Sequence, residues 1–225
     1  MLPTLIVLEG IDGSGKTTQL HLLKEYLGKK GVPFAVFDFP QYGRTIGGDL
    51  VGATLDGKFG HPSTISPYLT SLPYAIDRFQ ASVDIKDALN QRKIVICNRY
   101  VGSNLAHQTG KLDKGREEFI KWAMRLEYDI FKVPREDLTI FLNTPPETAR
   151  ELVDKKDKRE YTEKKRDLHE DDLNHLNNAG DVFRYLADVL PWWRRVDCVD
   201  GTGKMIPPKE IHKKIVDIFV KESIL

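Results

Sequence analysis

The chain has 225 residues, 40% hydrophobic and 30% charged, which suits one domain with a sizeable core. Its 34 Lys and Arg against 33 Asp and Glu leave a net charge of +1, which argues against a dedicated nucleic-acid binder. No run approaches the roughly 18 apolar residues of a membrane span, and the first residues lead into a strand pattern without a secretory leader, so a cytoplasmic protein is expected.

Strands are predicted over Thr4–Glu9, Phe34–Asp38, Lys93–Asn98, Leu138–Leu142 and Arg195–Val199. The first helical segment, Lys16–Lys29, places Leu20, Leu23 and Leu27 on one face. A second runs Ser66–Asn90, where Ser66 can cap and Pro67 suits the first turn. Further helices are predicted over Lys114–Lys132, Pro146–Asp154, Glu170–Val189 and Pro208–Lys221. Strands alternating with helices predict an α/β three-layer sandwich, a five-stranded parallel sheet with helices on both faces. With no repeat and no Pro/Gly/Ser-rich linker, residues 1–225 read as a single domain. The two cysteines, Cys97 and Cys198, lie in apolar strand-like runs and read as buried free thiols.

Gly10, Gly15, Lys16 and Thr17 spell G-x-x-x-x-G-K-T between a predicted strand and a predicted helix, the setting of a phosphate loop. Glycines let the backbone N–H groups of Gly10, Ile11, Asp12, Gly13, Ser14, Gly15, Lys16, Thr17 and Thr18 converge on phosphate oxygens, and the helix N-terminus adds its positive end. Lys16 brings a cation to the β- and γ-phosphates, and the Thr17 hydroxyl can ligate Mg²⁺. Gly201-Thr202-Gly203-Lys204 lacks the spacing and reads as the loop after the last strand.

A phosphate loop alone fits a GTPase, an ATPase motor or a small-molecule kinase. This chain shows no guanine-reading N-K-x-D and is short for a motor. It carries instead Arg44, Arg78 and Arg99 at separated points, cations suited to an acceptor that is itself a phosphate.

These elements in this order resemble the thymidylate kinase family of P-loop proteins. The opening E-G-I-D-G-S-G-K-T-T-Q is Glu9 to Gln19, F-P-x-x-x-R is Phe39, Pro40 and Arg44, and the aromatic-x-x-x-R element is Tyr74 to Arg78. Asn98-Arg99-Tyr100 with Ser103-Asn104 follows, then Asp167-Leu168-His169-Glu170, so the resemblance covers nearly the whole chain. It implies the P-loop NTPase fold and Mg²⁺-dependent transfer from ATP to dTMP, giving dTDP for dTTP biosynthesis, usually in a homodimer. It implies that Tyr74 stacks on thymine, Arg78 bonds the base edge, and Arg44 and Arg99 beside Pro40 hold the acceptor phosphate. Asp12 would accept from the sugar 3′-OH, and Asn104, His107 and Gln108 would line the pocket. The basic stretch Lys155–Arg166 resembles the family's short lid, about 155–167, in which Arg159 and Arg166 would assist the transferring phosphoryl group. Two departures stand out: Asn98 replaces the family's aspartate, and His107 stands where Tyr is frequent. Asn98 would join Thr17 and Glu9 at the metal. Other readings are another nucleotide or deoxynucleoside kinase, or a nucleotide-binding protein impaired by Asn98.

Overall fold

The computed structural model describes residues 3–61, 64–153 and 173–225. Strands β1 (Thr4–Glu9), β2 (Phe34–Asp38), β3 (Ile94–Asn98), β4 (Leu138–Asn143) and β5 (Trp193–Asp197) form one parallel sheet ordered β2-β3-β1-β4-β5. Register runs from Thr4 opposite Ile94 to Leu8 opposite Asn98 between β1 and β3, and Asp38 lies opposite Asn98 between β2 and β3. Alternation along β1 sends Leu5 and Val7 to one face and Ile6 and Leu8 to the other. Helices α1 (Lys16–Lys29) and α8 (Pro208–Lys221) cover the Ile6 face, with Leu23, Leu27, Ile215 and Phe219 buried there. The Leu5 face meets α3 (Pro67–Asn90), α4 (Val101–Thr109), α5 (Arg116–Met124) and α7 (Leu173–Val189). Each fully buried leucine of these layers contributes about 1.5–3 kcal/mol. Parallel strands need such crossovers, so the chain steps from β1 past β3 to β2 and later from β3 past β1 to β4. That reversal opens a crevice at the carboxyl end of β1.

The sheet and its helices match the expected fold class, with differences that have local causes. Strand β5 begins two residues earlier than predicted, because Trp193 pairs with Thr139 despite Pro191 just upstream. The predicted helix over 114–132 starts at Arg116 and widens to a π-helical segment over Arg125–Ile130. Two helices were not predicted. In α2 (Ile46–Leu55), Gly47 and Gly48 are poor helix formers, yet they are where the helix crosses its neighbours. A Cβ on Gly47 would stand 2.2 Å from the Asp77 amide nitrogen, and one on Gly48 2.4 Å from the Gln41 carbonyl oxygen. The second is α4, whose start is held by a residue remote in sequence. Helix α6 (Pro146–Val153) follows β4 as expected. Both cysteines are buried and free, and no described helix is long and apolar enough to cross a membrane. The basic stretch 155–167, with Arg159 and Arg166, lies outside the described residues.

Candidate active site

The loop between β1 and α1 wraps the crevice. At Gly13 φ is 80°, and a Cβ would meet the Ala149 carbonyl oxygen at 2.0 Å, so the backbone of α6 closes directly over the loop. Helix α1 starts after Gly15 with no side-chain cap and no acidic residue in its first turn. Its N-terminal N–H groups and dipole are therefore left for an anion. The Lys16 ammonium is buried and donates to the carbonyl oxygens of Gly10 (2.9 Å) and Ile11 (2.8 Å), with the Ser14 hydroxyl at 3.5 Å. Thr17 and Thr18 are exposed on the first turn of α1.

The end of β3 lies beside this loop. Arg99 takes φ of 65°, a left-handed backbone uncommon in a non-glycine residue, held by its amide on the Leu8 carbonyl at 2.9 Å. Its guanidinium donates to Asp12 Oδ1 at 2.5 Å, Ser103 Oγ at 3.1 Å and the Gly10 carbonyl at 3.4 Å. Arg99 thus ties the phosphate loop to the start of α4. Asn98 is buried; its Nδ2 donates to Asp38 Oδ1 at 2.8 Å, while its Oδ1 has no partner among the described residues.

Glu9 is fully buried and spends both oxygens on α4. Oε1 accepts from the amides of Tyr100 (2.8 Å) and Ser103 (2.9 Å), and Oε2 from the Ser103 hydroxyl (2.6 Å). It therefore caps a helix 91 residues away, with negative charge at the positive helix end. Burial pushes its carboxyl above the usual range, against the Ser103 hydroxyl, Arg99, the Tyr100 amide and Lys16.

The segment after β2 carries a cis Phe39–Pro40 peptide and leads to exposed Arg44. The segment is held from below by Asp77 of α3, which accepts from the Gln41 amide at 2.9 Å and the Thr45 hydroxyl at 2.5 Å. Thr45 in turn caps α2 through the Gly48 amide at 2.9 Å. Burial raises the Asp77 carboxyl despite these bonds. Tyr74 is half-buried one turn before Arg78. Arg78 is 2% exposed and pairs with the fully buried Glu127 of the π-helical segment through Nε (2.5 Å) and Nη2 (2.6 Å). Asn104 of α4 donates Nδ2 to the same carboxylate at 3.1 Å and to the Ser71 carbonyl at 3.3 Å. Gln108 accepts from the Thr70 hydroxyl at 2.6 Å. His107 points to α7, its Nδ1 3.1 Å from His175 Nε2.

A family model described as thymidylate kinase matches residues 8–179. The chain belongs to the thymidylate kinase family. It is 30% identical over 226 residues to the thymidylate kinase of Thermoanaerobacter pseudethanolicus, spanning 96% of this chain and 97% of that protein. The Mycobacterium tuberculosis thymidylate kinase is 29% identical over 184 residues, covering 81% of this chain and 85% of its own length. The structure of Candida albicans thymidylate kinase superposes with a TM-score of 0.75 at 24% identity, over 98% of this chain and 92% of the other, which supports the fold.

Sequence reading missed three buried carboxylates that hold the candidate site residues: Asp77, Glu127, and Glu9 in its capping role. Asp77 and Glu127 carried one signal, an acid on the apolar side of a predicted helix, where an unpaired charge would be costly. For Glu9 as a cap there was none, since its partners are distant in sequence.

Proposed function

We propose that the crevice at the end of β1 carries the whole phosphoryl transfer, with the phosphate loop on the donor side and the walls of α3 and α4 on the acceptor side. As a thymidylate kinase, the chain phosphorylates dTMP to dTDP with ATP as donor. A phosphate oxygen of dTMP attacks the γ-phosphorus of ATP, and the bond to the β-bridging oxygen breaks, so ADP leaves without net proton transfer. There is little covalent chemistry for the protein to do, so positioning and cations supply the acceleration. Lys16 exchanges its loop carbonyls for phosphate oxygens as nucleotide enters. Arg44 and Arg99 hold the acceptor phosphate, Asp12 accepts from the sugar 3′-OH, and Tyr74 stacks on the base. Arg159 and Arg166 would add cations from the basic stretch. The observation that carries this reading is Arg99, whose guanidinium spans from Asp12 in the loop to Ser103 in α4 and so stands where the two phosphates must meet.

Mg²⁺ fits the residues present: Asn98 offers a buried oxygen without a partner among the described residues, and Thr17 offers an exposed hydroxyl at the same edge of the sheet. Thr17 and Asn98 would hold the ion, and Glu9 is left out because both its oxygens serve α4. When bound, the ion neutralises charge on the β- and γ-phosphates. The partner is a second copy of this chain. Leu69, Leu72, Ile76, Phe79 and Val83 follow the alternating spacing of a helix–helix seam along α3. Leu69, Phe79 and Val83 are 61%, 48% and 63% exposed, and Phe131 extends the patch 5.2 Å from the Phe79 ring. Two sealed free thiols suit a cytoplasmic setting, and the chain acts as one domain.

The test is ADP release from Mg²⁺-ATP with dTMP, dUMP, dCMP, dGMP, UMP and thymidine offered separately, alongside sedimentation of the pure protein. Preference for dTMP and a two-fold mass support the reading. Preference for another acceptor overturns the pocket assignment, and a monomer overturns the seam.

A further inference from the structure

Deepening the proposed reading, and resting on it, we infer that His175 is a positioning residue. It shares a single hydrogen with His107 and so clasps α4, the helix that bears Asn104 and Gln108, to α7. His107 Nδ1 lies 3.1 Å from His175 Nε2, with the ring centres 5.3 Å apart and the planes 26° from parallel. The nitrogens are closer than the ring centres by nearly two ring radii, so they face each other along one line. That is the geometry of an N–H···N hydrogen bond and not of rings laid face on face. Such a bond holds one hydrogen: one nitrogen donates, and the other keeps its lone pair to accept.

The helix ends decide which does which. His107 is in the last turn of α4, where peptide carbonyls favour a cation. His175 is in the first turn of α7, where peptide N–H groups disfavour one. An added proton therefore belongs to His107, which donates from Nδ1 to the lone pair of His175 Nε2 in a charge-assisted bond. A second proton, on His175 Nε2, would set N–H against N–H and part the rings. The surroundings oppose that second charge. His175 is buried, and the Phe183 ring stands edge-on to His107 with centres 5.9 Å apart. Lys111, one turn beyond His107, adds a cation whose ionisation burial lowers to about 8. Of the carboxylates on the flanking elements, Asp181 is held by Arg184 and Glu127 by Arg78, while α5 opens with Arg116 and Glu117 in sequence.

Helix α4 is tied to α3 and the π-helical segment from its other side. Gln108 accepts from the Thr70 hydroxyl, and Asn104 donates to the Ser71 carbonyl and to Glu127. The clasp to α7 balances those bonds, so its loss lets residues 104–108 shift toward α3. The phosphate loop takes no part in it, and the effect falls on the acceptor.

The experiment measures kcat and KM for dTMP and for Mg²⁺-ATP between about pH 8 and 5.5, a span that brackets histidine titration. The proteins are wild type, His175→Leu and His175→Gln. Leucine fills space without a hydrogen bond, whereas the glutamine amide both accepts and donates and does not titrate. His175→Leu should raise KM for dTMP about two- to tenfold, the worth of one hydrogen bond, and leave KM for ATP unchanged. His175→Gln should restore the wild-type value. Toward acid pH, KM for dTMP should climb further in wild type than in His175→Gln; the substrate phosphate titrates alike in both and cancels. Equal KM values in all three proteins overturn the proposal, as does an identical acid limb in wild type and the glutamine variant. If the leucine variant fails to fold, that second comparison still decides. Calorimetric dTMP binding across the same pH range, without ATP, reads the same difference, so absent turnover would sink the kinase reading alone.

Discussion

At the end of β1, residues 10–17 are fit to hold nucleotide phosphates through groups that are neighbours in the chain: backbone N–H groups, the Lys16 ammonium and the start of α1. The wall proposed for the acceptor is assembled differently. Asp77 holds the segment that carries Arg44, Glu127 holds Arg78 and Asn104, and Glu9 holds the start of α4. Each is a buried carboxylate acting on an element distant in sequence. In the proposed site a common ligand, the polyphosphate chain, would be served by one short loop. The part proposed to choose the acceptor is held by long-range ion pairs and caps, which can be altered one at a time.

Mutations on either side should separate the two. The largest effect belongs to Lys16→Ala, which removes the ammonium that the proposed reading brings from its loop carbonyls to the transferring phosphoryl group. Turnover should fall about 10²–10³-fold while dTMP binding persists; loss of dTMP binding in calorimetry would mean that the donor loop also builds the acceptor wall. Next comes Asp77→Ala, which strips the Gln41 amide and Thr45 hydroxyl of their acceptor at a cost of about 1–3 kcal/mol. The KM for dTMP should rise and that for ATP stay put; an equal rise in both would erase the distinction.

Glu9 sharpens the comparison through pH. Glu9→Ala leaves two α4 amides unpaired and should lower the unfolding free energy by about 1–3 kcal/mol. Glu9→Gln can still accept from both amides and should stay close to wild type. Because the folded carboxyl binds its proton more tightly than the unfolded one, wild type gains stability as pH falls through the raised folded value toward 4.5. Denaturant melts from pH 7.5 to 5 should show that gain in wild type beyond any in the glutamine variant; identical slopes would refute the assignment. The smallest effect is Asn98→Asp, which replaces the donor to Asp38 and sets two carboxylates opposite each other across β2 and β3. Without Mg²⁺ it should lose up to about 1 kcal/mol, recovered by adding Mg²⁺ or by the second change Asp38→Asn. A Tm indifferent to both would leave residue 98 outside the metal site.

The same contrast explains what was legible in the sequence. Strands β1 and β2 and helices α1 and α8 could be bounded to the residue, since apolar period and terminal signals are local. The phosphate loop was legible because eight consecutive residues spell it. Arg44, Arg78 and Arg99 stood out as separated cations, while their individual roles, and Asn104, came from a resemblance. What places them did not, because Glu127 lies 49 residues from Arg78 and Asp77 lies 36 from Gln41. Helix α4 was missed for the same reason: Gly102, Ser103 and Asn104 are weak helix formers, and the helix begins where it does because of Glu9. Helix α2 was hidden by Gly47 and Gly48, whose missing side chains serve a crossing rather than a turn.

The two thiols have a practical consequence. Cys97 and Cys198 are fully enclosed, and burial raises the first well above its usual range and the second to about 11. At neutral pH neither supplies the thiolate that maleimides and iodoacetamides attack. A reporter cysteine placed on an exposed residue, such as Ile46 on α2, can therefore be labelled against a silent background, with no native residue removed beforehand.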